Sequence, residues 1–130
     1  MKGENIKDRT MDFAIRVMNM VAAMPKDYPA KVLSNQVIRS VSSAGANYRA
    51  ACRSKSRRDF VNKLKIVEEE LDETCYWLEL IKESNMFPAE RLSPLIKENS
   101  ELLSIIVKSI ITAKENGMNQ TNKRMTNPGT

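Results

Sequence analysis

The sequence predicts an all-α protein, an up-down-up-down antiparallel four-helix bundle. Three observations carry that prediction. The composition is poor in turn and strand formers, with 4 Gly, 5 Pro and 5% aromatic residues among 130, against 42% hydrophobic. Apolar residues recur at steps of three and four through four long stretches. Each stretch is bounded by helix-starting or helix-stopping residues, and the links between them are short, which makes sequence neighbours antiparallel. A chain of this length suits one domain with a real core, expected over residues 1–117.

The first helix is expected over residues 8–24, with Asp8 or Thr10 as N-cap and Met24-Pro25 as its end. Its apolar positions are Met11, Ala14, Ile15, Met18, Val21 and Ala22, with Phe13, Val17, Met20 and Met24 beside them. That arc is wider than one core face needs. Pro29 suits the first turn of a second helix over 29–53, striped by Leu33, Val37, Val41, Ala44, Tyr48 and Ala51. The small residues Ser42-Ser43-Ala44-Gly45-Ala46 allow another helix to approach closely, although Gly45 costs the helix roughly 1 kcal/mol in propensity. Asn47 falls at the edge of this stripe, and its amide is expected to bond a neighbouring helix or subunit.

Ser56 is a natural N-cap for a third helix over 57–84, with Phe60, Leu64, Val67, Leu71, Cys75 and Leu78 as its stripe. The fourth helix is expected over 88–116, presenting Leu95, Ile96, Leu102, Leu103, Ile106, Val107, Ile110 and Ile111, with Pro94 at its start or a kink. Gly117 stands where a C-cap glycine belongs, and residues 118–130 read as a disordered polar tail.

The chain has no His, which removes the commonest general base, the commonest zinc ligand and every Ser-His or Cys-His relay. Neither a Gly-rich phosphate loop nor a nucleophile elbow is present. Glu69 and Glu73 lie one turn apart within the acidic run Glu68–Glu73, but the di-metal bundle pattern needs Glu-x-x-His. No catalytic residue, metal or cofactor is therefore expected, and the chain reads as a non-enzyme. Cys52 and Cys75 fall roughly 25 Å apart along an antiparallel hairpin, too far to pair, and read as small packing residues. The polar N-terminus, the two cysteines and an aliphatic run no longer than Ile105-Ile106-Val107 point to a cytoplasmic protein without a membrane partner.

Charge is more informative. Residues 30–58 hold Lys31, Arg39, Arg49, Arg53, Lys55, Arg57 and Arg58 and no acid, whereas residues 59–85 hold eight acids against three bases. On a helical wheel Lys31, Arg39, Arg49 and Arg53 fall roughly opposite the apolar stripe of the second helix. An acid-free basic face is what tracking a phosphate backbone requires. The nucleic-acid-binding set read from the sequence is Arg39, Arg49, Arg53, Lys55, Arg57 and Arg58, with RNA or DNA as partner. Two other readings stay open: a merely solvated face, and docking on the acidic third helix of another subunit or on a protein partner. The third helix carries a second apolar set, Ile66, Tyr76, Trp77 and Leu80, flanked by Glu69, Glu70 and Glu73. Ile66, Glu73, Trp77 and Leu80 are read as an oligomer interface, the alternative being cover by Lys stems or the tail.

The stretch Ser40-Val41-Ser42-Ser43-Ala44-Gly45-Ala46-Asn47-Tyr48-Arg49-Ala50-Ala51, followed by Ser56, Asp59-Phe60, Leu64, Ile66, Leu71 and Glu73, resembles the four-helix-bundle family named for proteins encoded in rRNA intervening sequences. In that family an Asn ends the helix-two signature, and a Ser, an acid and a Phe open helix three. Asn47, Ser56, Asp59, Phe60, Leu64, Leu71 and Glu73 match in register, and the resemblance covers residues 8–115. Ala50-Ala51 and Glu69-Glu70 depart from the usual Glu-Gly and Gly-Ser. The resemblance implies a bundle that assembles into a ring-like homo-oligomer, a pentamer, with no known enzyme activity. Members are similar to the accessory protein of diversity-generating retroelements, a basic bundle that works with a reverse transcriptase and nucleic acid.

Overall fold

The computed structural model describes the backbone of residues 5–126 and the side chains of residues 5–117. It contains four helices: α1 (Ile6–Ala22), α2 (Tyr28–Cys52), α3 (Arg57–Glu83) and α4 (Ala89–Thr126). Neighbours in sequence pack against each other, and α1 returns to α4, closing the expected four-helix bundle.

Local chemistry sets the ends. Asn5, rather than Asp8 or Thr10, caps α1: its side chain accepts from Asp8 N at 2.8 Å and donates to the Asp8 carboxylate at 3.2 Å. Thr10 is instead buried, its hydroxyl donating to Lys7 O at 2.9 Å. Asp27 caps α2, which begins at Tyr28, one residue before the expected start, and Pro29 follows in the first turn, where its missing N–H is harmless. Ser56 caps α3 as expected. The α3 C-terminus closes on Asn85 at φ 60°, with Asn85 N–H donating to Lys82 O at 3.1 Å and Met86 N–H to Ile81 O at 3.2 Å. This is the left-handed cap in which two orphan carbonyls are satisfied, and Met86 tucks against the core beside it.

α4 departs from expectation. It passes through Gly117 and continues to Thr126, so residues 118–126 of the expected disordered tail are helical, and residues 127–130 lie outside the described residues. One glycine costs a helix only about 1 kcal/mol, and no proline intervenes before residue 128. Pro94 sits inside the helix, not at its start.

The core is aliphatic, with Val17, Leu64, Val67, Leu78, Ile81, Leu92, Leu102 and Ile106 completely buried and Phe13 nearly so. Two stripes differ from their sequence reading. On α1, which ends at Ala22 and not at the expected residue 24, the buried set is Thr10, Phe13, Val17 and Met20, with Met24 buried just past its end, while Met11, Ile15 and Met18 are exposed. Both arcs of α1 are apolar, so periodicity alone does not say which one faces inward. On α3, Val61, Thr74 and Ile81 are buried, whereas Phe60 and Cys75 reach only half-burial. Two polar contacts cross between helices in the core: Ser40 and Thr74 hydroxyls lie 2.7 Å apart, and Asn99 donates from α4 to Leu71 O on α3 at 2.9 Å. Arg9 holds Glu98 with two hydrogen bonds, 2.6 and 3.1 Å, across the α1–α4 seam.

Candidate nucleic-acid interface

The basic residues separate into two groups. Arg39 is occupied within the chain: its guanidinium reaches Glu73 at 2.5 Å and Glu70 at 3.2 Å on α3, and also donates to Gln36. Glu70 and Glu73 are one turn apart and so share the face that meets α2. The Arg39 hydrogen bond is the main reason the Glu73 carboxyl is held below its usual range. The acidic helix that Arg39 meets is thus the chain's own third helix.

The second group clusters at one end of the bundle. The last turn of α2 carries Arg49, its C-cap is Arg53, and Lys55, Arg57 and Arg58 follow in the turn and first turn of α3. All five are exposed. A tight turn between two capped helices gathers cations that span ten positions in sequence. The Arg57 stem lies along α4 at Gly117, where an added methyl would come within 3.3 Å of its Cδ.

Beside this end lies an open cleft of about 750 Å³ between the α2–α3 turn and α4. Lys55, Arg57 and Lys108 line it with Ser54, Ser56, Ser109, Thr112 and Asn116 over an apolar floor that includes Phe60 and Ile105, and none of its lining residues is acidic. Cys52 also opens onto it and is exposed, so it is not the packing residue expected. Burial, reinforced by Cys52, pushes the neighbouring Tyr48 hydroxyl up to about 12. Cys75 is half-buried, and desolvation raises its thiol first, with Glu79 adding to the shift.

A second groove, about 430 Å³, runs between α1 and α2. Met11, Ala14, Ile15 and Met18 form one wall and Ser42, Gly45 and Ala46 the other, with Lys7, Asp8 and Arg49 at the rim. Thr10 of α1 is the nearest group to Gly45, and a methyl there would meet it at 3.8 Å, an ordinary contact, so the approach of α1 does not require the glycine.

The expected interface set on α3 is only partly surface. Ile66 is 37% exposed, but Trp77 and Leu80 pack against the core, and Glu73 is engaged by Arg39. Tyr76 is 58% exposed and meets the Trp77 ring edge-on at 5.1 Å. On the wheel Trp77 lies on the flank of the stripe, roughly 115° from its centre and beside buried Ile81, where a large side chain at a helix–helix seam folds back over its neighbours. Asn47 bonds within its own helix, to Ser43 O at 2.9 Å and Ser43 Oγ at 3.2 Å, so the expected link to another helix is absent from this chain. The buried amide of the core is Asn99, in register with Leu92, Leu95, Leu102 and Ile106 at steps of three and four. That spacing is visible in the sequence and was the available signal.

Among the described residues no group of three or more Cys, Asp or Glu is placed to hold a metal ion, and no helix is long and apolar enough to cross a membrane. Comparison with curated proteins gives no match. Among solved structures the fold is similar to the crystal structure of a protein with unknown function from the S23 ribosomal protein family, from Bacteroides thetaiotaomicron. The TM-score is 0.75 at 34% identity, covering 82% of this chain and 98% of that one. Residues 4–108 match the family described as 23S rRNA-intervening sequence protein. With both the helix-two signature and the four-helix fold in place, the chain belongs to the 23S rRNA-intervening sequence protein family.

Proposed function

We propose that this protein is a cytoplasmic, non-enzymatic homo-oligomer that binds the backbone of RNA or DNA without sequence preference. The observation that carries the reading is the cluster of Arg49, Arg53, Lys55, Arg57 and Arg58 at one end of the bundle, five exposed cations against the single carboxylate of Asp59 in the first turn of α3. Cations presented on rigid helix ends meet phosphates through counterion release and carry no base readout. Arg39 drops out of the binding set, because Glu70 and Glu73 already neutralise it.

Self-association is supported by apolar exposure. Met11, Ile15 and Met18 are each at least 44% exposed along one face of α1, beside the groove whose rim holds Lys7 and Arg49. The outer face of α3 offers a complement, Ile66 and Tyr76 among Glu69 and Asp72. Two different faces on one chain make a head-to-tail contact, which closes into a ring when the rotation allows. The pentamer implied by the family resemblance is one such ring, and it repeats the basic end around its axis, so weak contacts sum by avidity.

A second reading rests on Arg39: a cation of the same strip already serves helix–helix docking, and the remainder would dock a protein partner. Sedimentation equilibrium combined with gel retention of unrelated RNA and DNA oligonucleotides separates the two. The nucleic-acid reading expects an oligomeric mass and retention of every sequence at low salt. A monomeric mass overturns the ring, and absence of retention overturns the binding.

A further inference from the structure

The cleft between the α2–α3 turn and α4 combines features that a plain phosphate-tracking surface does not need. Lys55 stands on one wall and Lys108 on the other, both exposed, with Thr112 one helical turn beyond Lys108. Beneath them the floor is apolar, with Phe60 and Ile105 half-buried. Its volume, about 750 Å³, lies within the range of small-molecule sites. Backbone phosphates alone would be served by the cations. An apolar floor with an aromatic ring is suited to a planar group that is itself removed from water.

We infer that this cleft takes one nucleotide of a single-stranded polynucleotide, with its phosphate between Lys55 and Lys108 and its base over Phe60. The inference rests on the nucleic-acid reading and deepens it. A duplex keeps its bases stacked and paired, so only its phosphates reach the cleft mouth. An unpaired strand can turn a base inward, and every base has a π-face, so the preference is for strandedness and not for sequence. The hydroxyls of Thr112 and Ser109 and the amide of Asn116 stand on the α4 wall, where they meet the sugar or the base edge.

The test is fluorescence anisotropy of a labelled single-stranded oligonucleotide and of the same sequence as a duplex, at one ionic strength, with wild type, Lys108→Gln and Phe60→Leu. Lys108 is exposed, so its substitution leaves the fold intact, and Phe60→Leu keeps an apolar floor without the ring. The expected result is at least about ten-fold tighter binding of the single strand by wild type, the scale of one stacked base. Both variants should lose most of that preference and retain duplex binding within about three-fold, consistent with one lost phosphate or stacking contact. Adenosine 5′-monophosphate should compete with the single strand where inorganic phosphate at equal ionic strength does not. Equal affinity for the two forms, or a strand preference that both variants keep, overturns the cleft assignment while leaving the backbone-binding reading in place. No binding of either form at low salt overturns that reading, and the cleft assignment with it.

Discussion

Arg39 of α2 and Glu73 of α3 are joined by a 2.5 Å ion pair, with Glu70 adding a second carboxylate to the same guanidinium at 3.2 Å. The contact ties together α2 and α3, the helix pair with the most extensive contact among the described residues, and it sets Arg39 apart from the basic residues at the α2–α3 end. Its energetic role is modest, since Arg39 remains half-exposed and water screens the pair.

That pair sets a pH dependence. The Arg39 hydrogen bond lowers the Glu73 pKa from its ordinary 4.5. A carboxyl whose folded pKa is depressed contributes stability that is present above the unfolded value and is lost as pH falls through the folded one. Thermal stability of wild type should therefore fall on acidification below about pH 4.5, and Glu73→Gln should be modestly less stable at neutral pH and converge on wild type in acid, which flattens the acid limb. An unchanged acid limb in the variant would detach Glu73 from this role.

Asn85 tests the α3 terminus. At φ 60° an L-residue with a Cβ is strained, and Asn tolerates the conformation better than most. Asn85→Ala should cost about 1 kcal/mol in denaturant unfolding, and Asn85→Gly should match or exceed wild type. Equal loss in both would mean that the side chain, not the backbone angle, matters.

Asn99 tests the polar core. It is fully buried, donates to Leu71 O, and leaves its own Oδ1 without a hydrogen-bond partner. The Leu71 carbonyl lies within helix α3, so removing Asn99 does not orphan it. Asn99→Leu should hold or raise the unfolding midpoint, because it removes a buried unsatisfied acceptor at similar volume. Asn99→Asp should lose several kcal/mol by burying a charge. A large loss in Asn99→Leu would show that the amide specifies helix register and not merely bulk.

Most of the fold was legible because its signals are local. Ser56 and Pro29 mark helix starts by their own chemistry, and the spacing of Leu64, Val67, Leu71 and Leu78 identifies the α3 core face without reference to anything distant. What stayed hidden depends on a second element. Met11, Ile15 and Met18 and their neighbours Phe13, Val17 and Met20 are equally apolar, and only the positions of α2 and α4 decide which row is buried. Arg39 looks like its basic neighbours in sequence, and becomes different only because Glu70 and Glu73 lie across from it. Trp77 shows the same limit, since a wheel locates its Cα and says nothing of where a large ring lies.

The central claim is backbone binding by the basic residues at the α2–α3 end of the bundle. Its most direct measurement is the affinity for one single-stranded oligonucleotide between about 50 and 200 mM salt, for wild type and for Arg53→Gln/Arg58→Gln. Both arginines are exposed and neither lines the α1–α2 groove, so the double variant should keep its fold and oligomeric mass. Wild-type affinity should fall steeply on a log–log plot, and the variant should bind more weakly with a slope flatter by about one unit for each arginine engaged. Wild type that fails to bind at about 50 mM salt, or a variant whose slope equals that of wild type, would contradict the account.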